Sequence, residues 1–144
     1  MIVVVPSPVV PGAIVRVRPV GALLMKDEAG DDEKGIACCV SAWRRIADNV
    51  MPPRVKAGAN YHQSRLVSVQ ASVDGYDGAI ILNDRDKVAE GPGACVAIVR
   101  DGRPILPPIT AGVLESITRN TLIELFAAEM KLDALEDIID EAQG

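Results

Sequence analysis

Aromatic residues are scarce in this sequence: only four of its 144 side chains are Phe, Trp or Tyr. Hydrophobic residues nevertheless make up 49% of the chain, so any core must be built from Val, Ile, Leu and Ala. A chain of this length is about one domain long and can bury such a core. No apolar run reaches the roughly 18 residues that a membrane-spanning helix needs, so we expect no membrane partner.

Basic residues are also in short supply, with 15 Lys and Arg against 20 Asp and Glu. The formal net charge is -5 and the sequence pI is near 4.8. Nucleic-acid-binding proteins carry clustered Lys and Arg that meet the phosphate backbone. We therefore expect no nucleic-acid partner.

Histidine and cysteine are too sparse for the usual metal or hydrolase sites. The single histidine, His62, has no second histidine with which to share a metal ion, and no Gly-x-Ser-x-Gly elbow accompanies it. Cys38, Cys39 and Cys95 form an odd set that matches neither a disulfide framework nor metal-ligand spacing. We expect buried thiols in a reducing cytoplasm, and hence a cytoplasmic protein without a metal.

The first 35 residues and the start of the next segment are predicted to be rich in β-structure. Proline-punctuated apolar runs predict strands over Ile2–Val5 and Ala13–Val17, and Met25–Gly35 reads as a solvated acidic turn. Ile36–Trp43 then predicts a buried strand. The Arg pair that follows could bind an anion or form a salt-bridged rim, and the rim is the favoured interpretation.

The centre of the chain carries an isolated lysine just before a predicted helix. Lys56 lies among small and apolar neighbours, where desolvation would lower the pKa of its amine and make it nucleophilic. Such an amine suits Schiff-base chemistry with a carbonyl. The alternative is a surface lysine at the entry of the helix that we predict over Asn60–Asp74, which Gly75 would end.

A carboxylate follows in a glycine-rich bend between predicted strands. Glu90 precedes Gly91–Gly93, a Gly-Pro-Gly bend that would let the backbone approach a ligand closely. The alternative is an ordinary turn residue. The flanking strands are predicted over Gly78–Leu82, Cys95–Val99 and Arg103–Pro108, and the last two are joined by Asp-Gly, a strong hairpin signal.

Two helices are predicted towards the end of the chain. The first begins at Ile117–Thr118 and reaches Met130, and the free N–H groups and positive dipole end of its first turn suit a phosphate. An ordinary Ser or Thr cap without a ligand is the alternative. Residues 131–144 place apolar side chains on one face and Asp and Glu on the other, which predicts an acidic amphipathic helix.

Several short blocks follow one another along the chain, and their order is more specific than any one of them. They are Lys56–Ser64, Gly75–Ile80, Val88–Ala94, Asp101–Gly102, Pro107–Pro108 and Ile117–Arg119, with Ser41-x-Trp43-x-Arg45 ahead of them. Taken in order, these blocks resemble the fold-type IV (class IV) pyridoxal-phosphate-dependent aminotransferases, and among them the branched-chain amino-acid aminotransferases. The resemblance covers Ile36 to Ala128, about two-thirds of the chain.

The resemblance implies a cofactor, pyridoxal 5'-phosphate, and a role for each matching residue. Lys56 would form the Schiff base with the cofactor and move the proton at the substrate's α-carbon. Glu90 would pair with the pyridine nitrogen, and Tyr61 would hydrogen-bond the phenolic oxygen. Ile117 and Thr118 would hold the phosphate through their backbone N–H groups and the Thr hydroxyl.

The implied fold is mixed α/β (α+β), a partial pseudo-barrel of the large domain of fold-type IV enzymes. Residues 36–130 would be the core of this cofactor-binding domain, and residues 1–35 resemble the interdomain region only loosely. Family members are about twice as long, with an N-terminal domain and a second phosphate-binding loop that nothing here matches. The resemblance therefore implies a chain truncated at both ends.

The implied function is amino transfer between an apolar, branched-chain-like amino acid and a 2-oxo acid, in a homodimer or with a complementing chain. Two alternatives stay open: a lyase resembling the aminodeoxychorismate lyases, and a non-catalytic remnant of the family. The sequence departs from the usual family pattern at Ala94–Val96 and at Leu114–Ser116. These departures bear on substrate preference rather than on cofactor binding.

Overall fold

A computed structural model describes residues 2–4, 15–19, 36–100, 103–128, 135–136 and 139. The predicted acidic turn over Met25–Gly35 lies outside these residues. Within these ranges no helix is long and apolar enough to cross a membrane. The three cysteines are free thiols, of which Cys38 is buried and the other two are partly buried.

The described residues form one eight-stranded sheet with two α-helices, so the mixed α/β prediction is confirmed. The strands are β1 Ile2–Val4, β2 Val15–Pro19, β3 Ile36–Arg44, β4 Gly78–Leu82, β5 Val88–Glu90, β6 Val96–Arg100, β7 Arg103–Leu106 and β8 Leu135–Glu136. They pair in the order β5-β4-β3-β2-β1-β6-β7-β8. Helix α1 spans Gly58–Val73, helix α2 spans Ile117–Ala128, and a 3-10 turn covers Ile109–Ala111.

The unit that positions the site is β3, α1 and β4. Strands β3 and β4 are parallel, which requires a crossover between them, and α1 is the helix in that crossover. Strands β4 and β5 are antiparallel, and so are β6 and β7. The chain therefore leaves β3 beside the end of β4 and the start of β5, and Arg45, the residue after β3, lies 2.9 Å from Glu90 of β5.

Strand β4 lies at the centre of the core. Its residues Ala79, Ile81 and Leu82 are fully buried, because both faces of the strand are covered and its sequence is an unbroken apolar run. On one face, Val67 and Ala71 of α1 pack with Ala79 and Ile81. The other face joins a cluster of Cys38, Ile80, Leu82, Val88, Val96, Ile98, Ile105 and Ile139.

Strands β4 and β3 approach each other closely at Gly78. A Cβ atom built on this residue would lie 3.0 Å from the Cys38 sulfur, which is closer than ordinary side-chain contact. The parallel register pairs Cys38 directly with Gly78. The absent side chain thus makes room for the thiol.

Most predicted strands are confirmed, with ends shifted by one or two residues, but β3 is not a buried strand. Only Cys38 and Ser41 are buried along it, and Trp43 is 48% exposed. Among the described residues, β2 pairs with β3 from Ile36 to Cys38.

Helix α1 is confirmed, but only part of its apolar spacing faces the core. Leu66, Val69 and Val73 are 45%, 62% and 75% exposed, whereas Val67 and Ala71 are buried. The buried side also carries Asn60 and Ser64. The first turn of α1 therefore faces a polar region rather than an apolar core.

The predicted helix over residues 131–144 is wrong at Leu135–Glu136, which form β8 and pair in parallel with β7. The unpaired backbone groups at the edge of β7 favour strand pairing there over helix formation. Ile139 is buried, and its carbonyl accepts a hydrogen bond from the Val88 N–H at 2.9 Å. The other residues of this predicted helix lie outside the described part of the chain.

Candidate active site

One cavity of about 200 Å³ collects side chains from several separate segments. It lies where the chain leaves β3 and β5 and where α1 and α2 begin. Four of the five predicted site residues line it, namely Lys56, Tyr61, Glu90 and Thr118. The remaining lining residues are Arg45, Pro53, Val55, Asn60, Ser64, Pro92, Gly93, Ala94, Cys95, Leu114 and Ser116.

Ile117 is the predicted residue that does not line the cavity. Its side chain is 86% exposed at the first position of α2. The sequence assigned it a role through its backbone N–H rather than its side chain. That role stays a prediction.

Lys56 lies in the connector between β3 and α1, two residues before the helix begins. The expectation that its ammonium would lie near little water is wrong, because the residue is exposed. Its neighbour Val55 is also 54% exposed, so apolar neighbours in the sequence do not form a dry environment here. Lys56 lines the cavity as an exposed residue and is not buried among apolar side chains.

Asn60 fixes the connector that carries Lys56. Its buried side-chain amide donates hydrogen bonds to the carbonyls of Pro52 and Val55, each at 3.2 Å. The Val55 N–H also donates to the Pro52 carbonyl at 3.2 Å. The N-cap residue of α1 is Ala57, which makes no side-chain cap, and Asn60 lies in the first turn of the helix.

Gln63, one turn further along α1, holds a different segment. Its side-chain carbonyl accepts a hydrogen bond from the Ile46 N–H at 3.2 Å, and its amide donates to the Arg44 carbonyl. These two backbone groups flank Arg45. The first turns of α1 thus hold both the Lys56 connector and the end of β3.

Glu90 is buried, and each of its carboxylate oxygens has a partner. Arg45 Nη2 lies 2.9 Å from Oε1, and the Leu114 N–H donates to Oε2 at 3.0 Å. Arg45 Nε also donates to the Gly112 carbonyl at 3.2 Å, at a glycine with φ of +82°. Burial raises the pKa of Glu90 above its ordinary value, and Arg45 and the Leu114 N–H oppose that rise.

The Glu90 carboxylate can still accept a further hydrogen bond. Each carboxylate oxygen has two lone pairs, so one partner on each leaves acceptor capacity. Because Glu90 lines the cavity, a cationic N–H of a bound ring could reach it. This arrangement suits a heterocycle whose ring nitrogen is held protonated.

The start of α2 presents backbone donors beside the same cavity. Ser116 Oγ accepts a hydrogen bond from the Arg119 N–H at 3.0 Å, which is the Ser cap that the sequence offered as an alternative. The N–H groups of Ile117 and Thr118 have no partner within the helix, because they precede the first intrahelical bonds. Cap and anion site are therefore compatible.

Arg45 is the functional residue whose place the sequence reasoning missed. The favoured rim fits Arg44, which pairs with Asp86 at 2.8 Å near solvent, but Arg45 is buried against Glu90. Adjacent residues of a strand point to opposite faces. The sequence could therefore have predicted different surroundings for two consecutive arginines at the end of a strand. Nothing in the sequence singles out Gln63.

The chain matches a family model described as amino-transferase class IV over residues 13–143. It is 42% identical over 106 residues to a probable branched-chain-amino-acid aminotransferase of Aquifex aeolicus, covering 74% of this chain and 34% of that protein. It is 36% identical over 126 residues to the branched-chain-amino-acid aminotransferase of Escherichia coli (strain K12), covering 88% of this chain and 40% of that one. The chain thus spans about two-fifths or less of these relatives.

A solved structure agrees with the sequence relatives. The branched-chain amino acid aminotransferase of Thermobaculum terrenum, determined in its PLP-form, matches with a TM-score of 0.73 and 48% sequence identity. The match covers 75% of this chain and 35% of that one. This likeness confirms the predicted fold class, since the solved protein is a fold-type IV aminotransferase.

Proposed function

The chain belongs to the amino-transferase class IV family, and from that membership we propose that it is a pyridoxal-phosphate-dependent transaminase acting through a Schiff base at Lys56. The single observation that carries the proposal is the shared cavity. An amine, a phenol, a carboxylate and a helix start, contributed by Lys56, Tyr61, Glu90 and Thr118, line the same space. Each of these groups suits one part of the cofactor.

Pyridoxal phosphate, when bound, supplies an aldehyde and a pyridine ring that accepts electrons from the reacting carbon. Lys56 would hold the cofactor and then, as a free amine, take a proton from the α-carbon of the substrate and return it. The exposure of Lys56 to the cavity supports this role, because the amine must reach both cofactor and substrate. Tyr61 would donate a hydrogen bond to the phenolic oxygen of the ring.

Glu90 would keep the ring nitrogen protonated. A carboxylate beside a pyridine nitrogen favours the charged form, just as Arg45 favours the carboxylate. Thr118 and the first N–H groups of α2 would bind the phosphate at the positive end of the helix. The residues present therefore fit the cofactor.

The proposed substrates are an apolar, branched-chain-like amino acid and a 2-oxo acid. This part rests on the names of the relatives, which are branched-chain-amino-acid aminotransferases. The chain spans only part of their length. We accordingly expect the site to work in a homodimer or with a complementing chain, which light scattering of the purified protein would detect as a molar mass above that of one chain.

The first test is to add pyridoxal phosphate, follow the visible absorption, reduce with borohydride and map the modified peptide by mass. We expect a cofactor adduct on Lys56 that is lost in Lys56→Ala. Lys87→Ala is the matched control, because Lys87 is a described lysine that does not line the cavity, and it should keep the adduct. Absence of an adduct on Lys56 in the unmodified chain would contradict the proposal and favour a non-catalytic remnant.

The second test is the amino transfer itself. We expect the loaded protein to convert a branched-chain amino acid only when a 2-oxo acid acceptor is present. Turnover without an added acceptor would instead identify a lyase. The acceptor requirement separates the two activities. Variants at Lys56 or Glu90 would not, because both activities would use these residues.

A further inference from the structure

We propose that Gln63 is a positioning residue that holds the Arg45 guanidinium against Glu90 through the backbone on either side of Arg45. The inference deepens the proposed function and rests on it for its catalytic meaning, since the ion pair faces the cofactor cavity. Gln63 itself does not line that cavity. It therefore acts through another residue.

The backbone around Arg45 is held from two sides. From the sheet, the Leu82 carbonyl of β4 accepts a hydrogen bond from the Arg45 N–H at 2.8 Å. From the helix, Gln63 accepts from the Ile46 N–H and donates to the Arg44 carbonyl. The peptide groups before and after Arg45 are thus both fixed by one side chain.

This helix contact holds the chain where sheet pairing is irregular. The register between β3 and β4 shifts between Val40 and Arg44, so the ladder is irregular as it approaches Arg45. Without Gln63, the peptide groups that flank Arg45 would lose the contacts that hold them on the helix side.

The position of Arg45 matters because Glu90 depends on it. The side chains are 5% and 11% exposed, so little water is available to replace a lost partner. Burial raises the pKa of Glu90, and Arg45 is the larger of the two influences that oppose the rise. A displaced guanidinium would leave that rise opposed mainly by the Leu114 N–H.

The test is a pH titration of the Glu90 side-chain carboxyl carbon by NMR, in the full chain labelled with ¹³C-glutamate and without cofactor. Glu90→Gln assigns the signal, and Arg45→Met gives the reference for complete loss of the ion pair. The other titratable side chains that line the cavity are Lys56, Tyr61 and Cys95. Observing the Glu90 carbon directly separates its titration from theirs.

We expect Gln63→Met to shift the Glu90 titration to higher pH, by less than Arg45→Met does. Gln70→Met is the matched control, because Gln70 lies on the same helix and its amide donates to the exposed Asp74 carboxylate. That variant should titrate like the unmodified chain. A Glu90 titration that is unchanged in Gln63→Met would overturn the inference.

A second variant guards against loss of folding. Gln63→Asn keeps the amide but is shorter by one methylene, so the amide no longer reaches the Arg44 carbonyl and the Ile46 N–H, and the variant should shift the titration in the same direction. An unchanged titration in Gln63→Asn overturns the inference if Gln63→Met does not fold. A shifted titration in a chain that forms no Lys56 adduct would support the positioning role and refute the transaminase proposal.

Discussion

Two neighbouring arginines at the end of β3 form ion pairs of almost equal length in very different surroundings. Arg44 lies 2.8 Å from Asp86, with side chains 38% and 72% exposed. Arg45 lies 2.9 Å from Glu90, with side chains 5% and 11% exposed. The two distances alone would predict the same effect on stability for both pairs. The difference in burial must therefore decide how much each pair contributes to stability.

In the exposed pair, each charged group gives up hydration for its partner, so the net gain in stability is small, and salt screens the attraction between the two charges. The buried pair has lost most of its hydration, so each charge depends on the other. A buried ion pair need not make the fold more stable than apolar residues would. It does make the loss of one partner costly, and it keeps a charged group at the cavity where chemistry needs one.

The largest expected effect comes from removing the buried cation. Arg45→Met should lower the free energy of unfolding by about 3 to 5 kcal/mol, because Glu90 is left as an uncompensated buried charge. Urea unfolding at neutral pH measures this loss. A change below about 1 kcal/mol would mean that water reaches Glu90 and that the two pairs are equivalent.

Removing both charges should cost less than removing one. In Arg45→Met with Glu90→Gln, the amide carbonyl can still accept from the Leu114 N–H, so the remaining loss should be below about 2 kcal/mol. The same urea experiment and a double-mutant cycle give the coupling between the residues. A double variant as unstable as Arg45→Met alone would show that packing of the arginine, rather than charge, is what matters.

The pH dependence of stability offers a smaller and more specific comparison. Because the folded-state pKa of Glu90 is raised, its contribution to stability is fully present below the ordinary value of 4.5 and falls as pH rises through the folded-state pKa. The stability of the unmodified chain relative to Glu90→Gln should therefore decrease across that interval. A relative stability that increases with pH would mean that Arg45 outweighs burial.

The smallest effect is expected at the exposed pair. Arg44→Met should change the free energy of unfolding by at most about 1 kcal/mol, and the change should shrink as salt is added. Arg44 also donates to the Ser41 carbonyl at 2.9 Å, so Asp86→Asn is the cleaner probe of the charge. A loss as large as that of Arg45→Met would remove the distinction drawn from burial.

Local chemistry made much of the fold predictable. The apolar run of β4 and the break at Gly75, which adopts φ of +83°, are encoded by neighbouring residues, so the strand and the end of α1 could be recognised. The residues that share the cavity were assembled by the resemblance and not by periodicity. Lys56 and Glu90 are 34 positions apart, and no local pattern brings them together.

The misplaced features all depend on distant neighbours. Leu66 and Val69 are exposed because α1 turns the face with Val67 and Ala71 to the sheet, and Leu135 is in a strand because β7 offers an edge. The burial of Arg45 depends on a carboxylate supplied by β5. Side-chain spacing within one segment carries no information about these partners. The sequence pattern therefore predicted the helices and strands better than it predicted which of their side chains are buried.

The burial of Cys38 beside Gly78 has a practical consequence for handling this protein. Burial raises the pKa of Cys38 to about 11, so this thiol stays protonated and unreactive at neutral pH. Cys39 is only partly buried, and its pKa is also raised. Cys95 lines the cavity. A thiol-reactive probe attached to Cys95 under mild conditions would therefore give a signal from the site without an engineered cysteine.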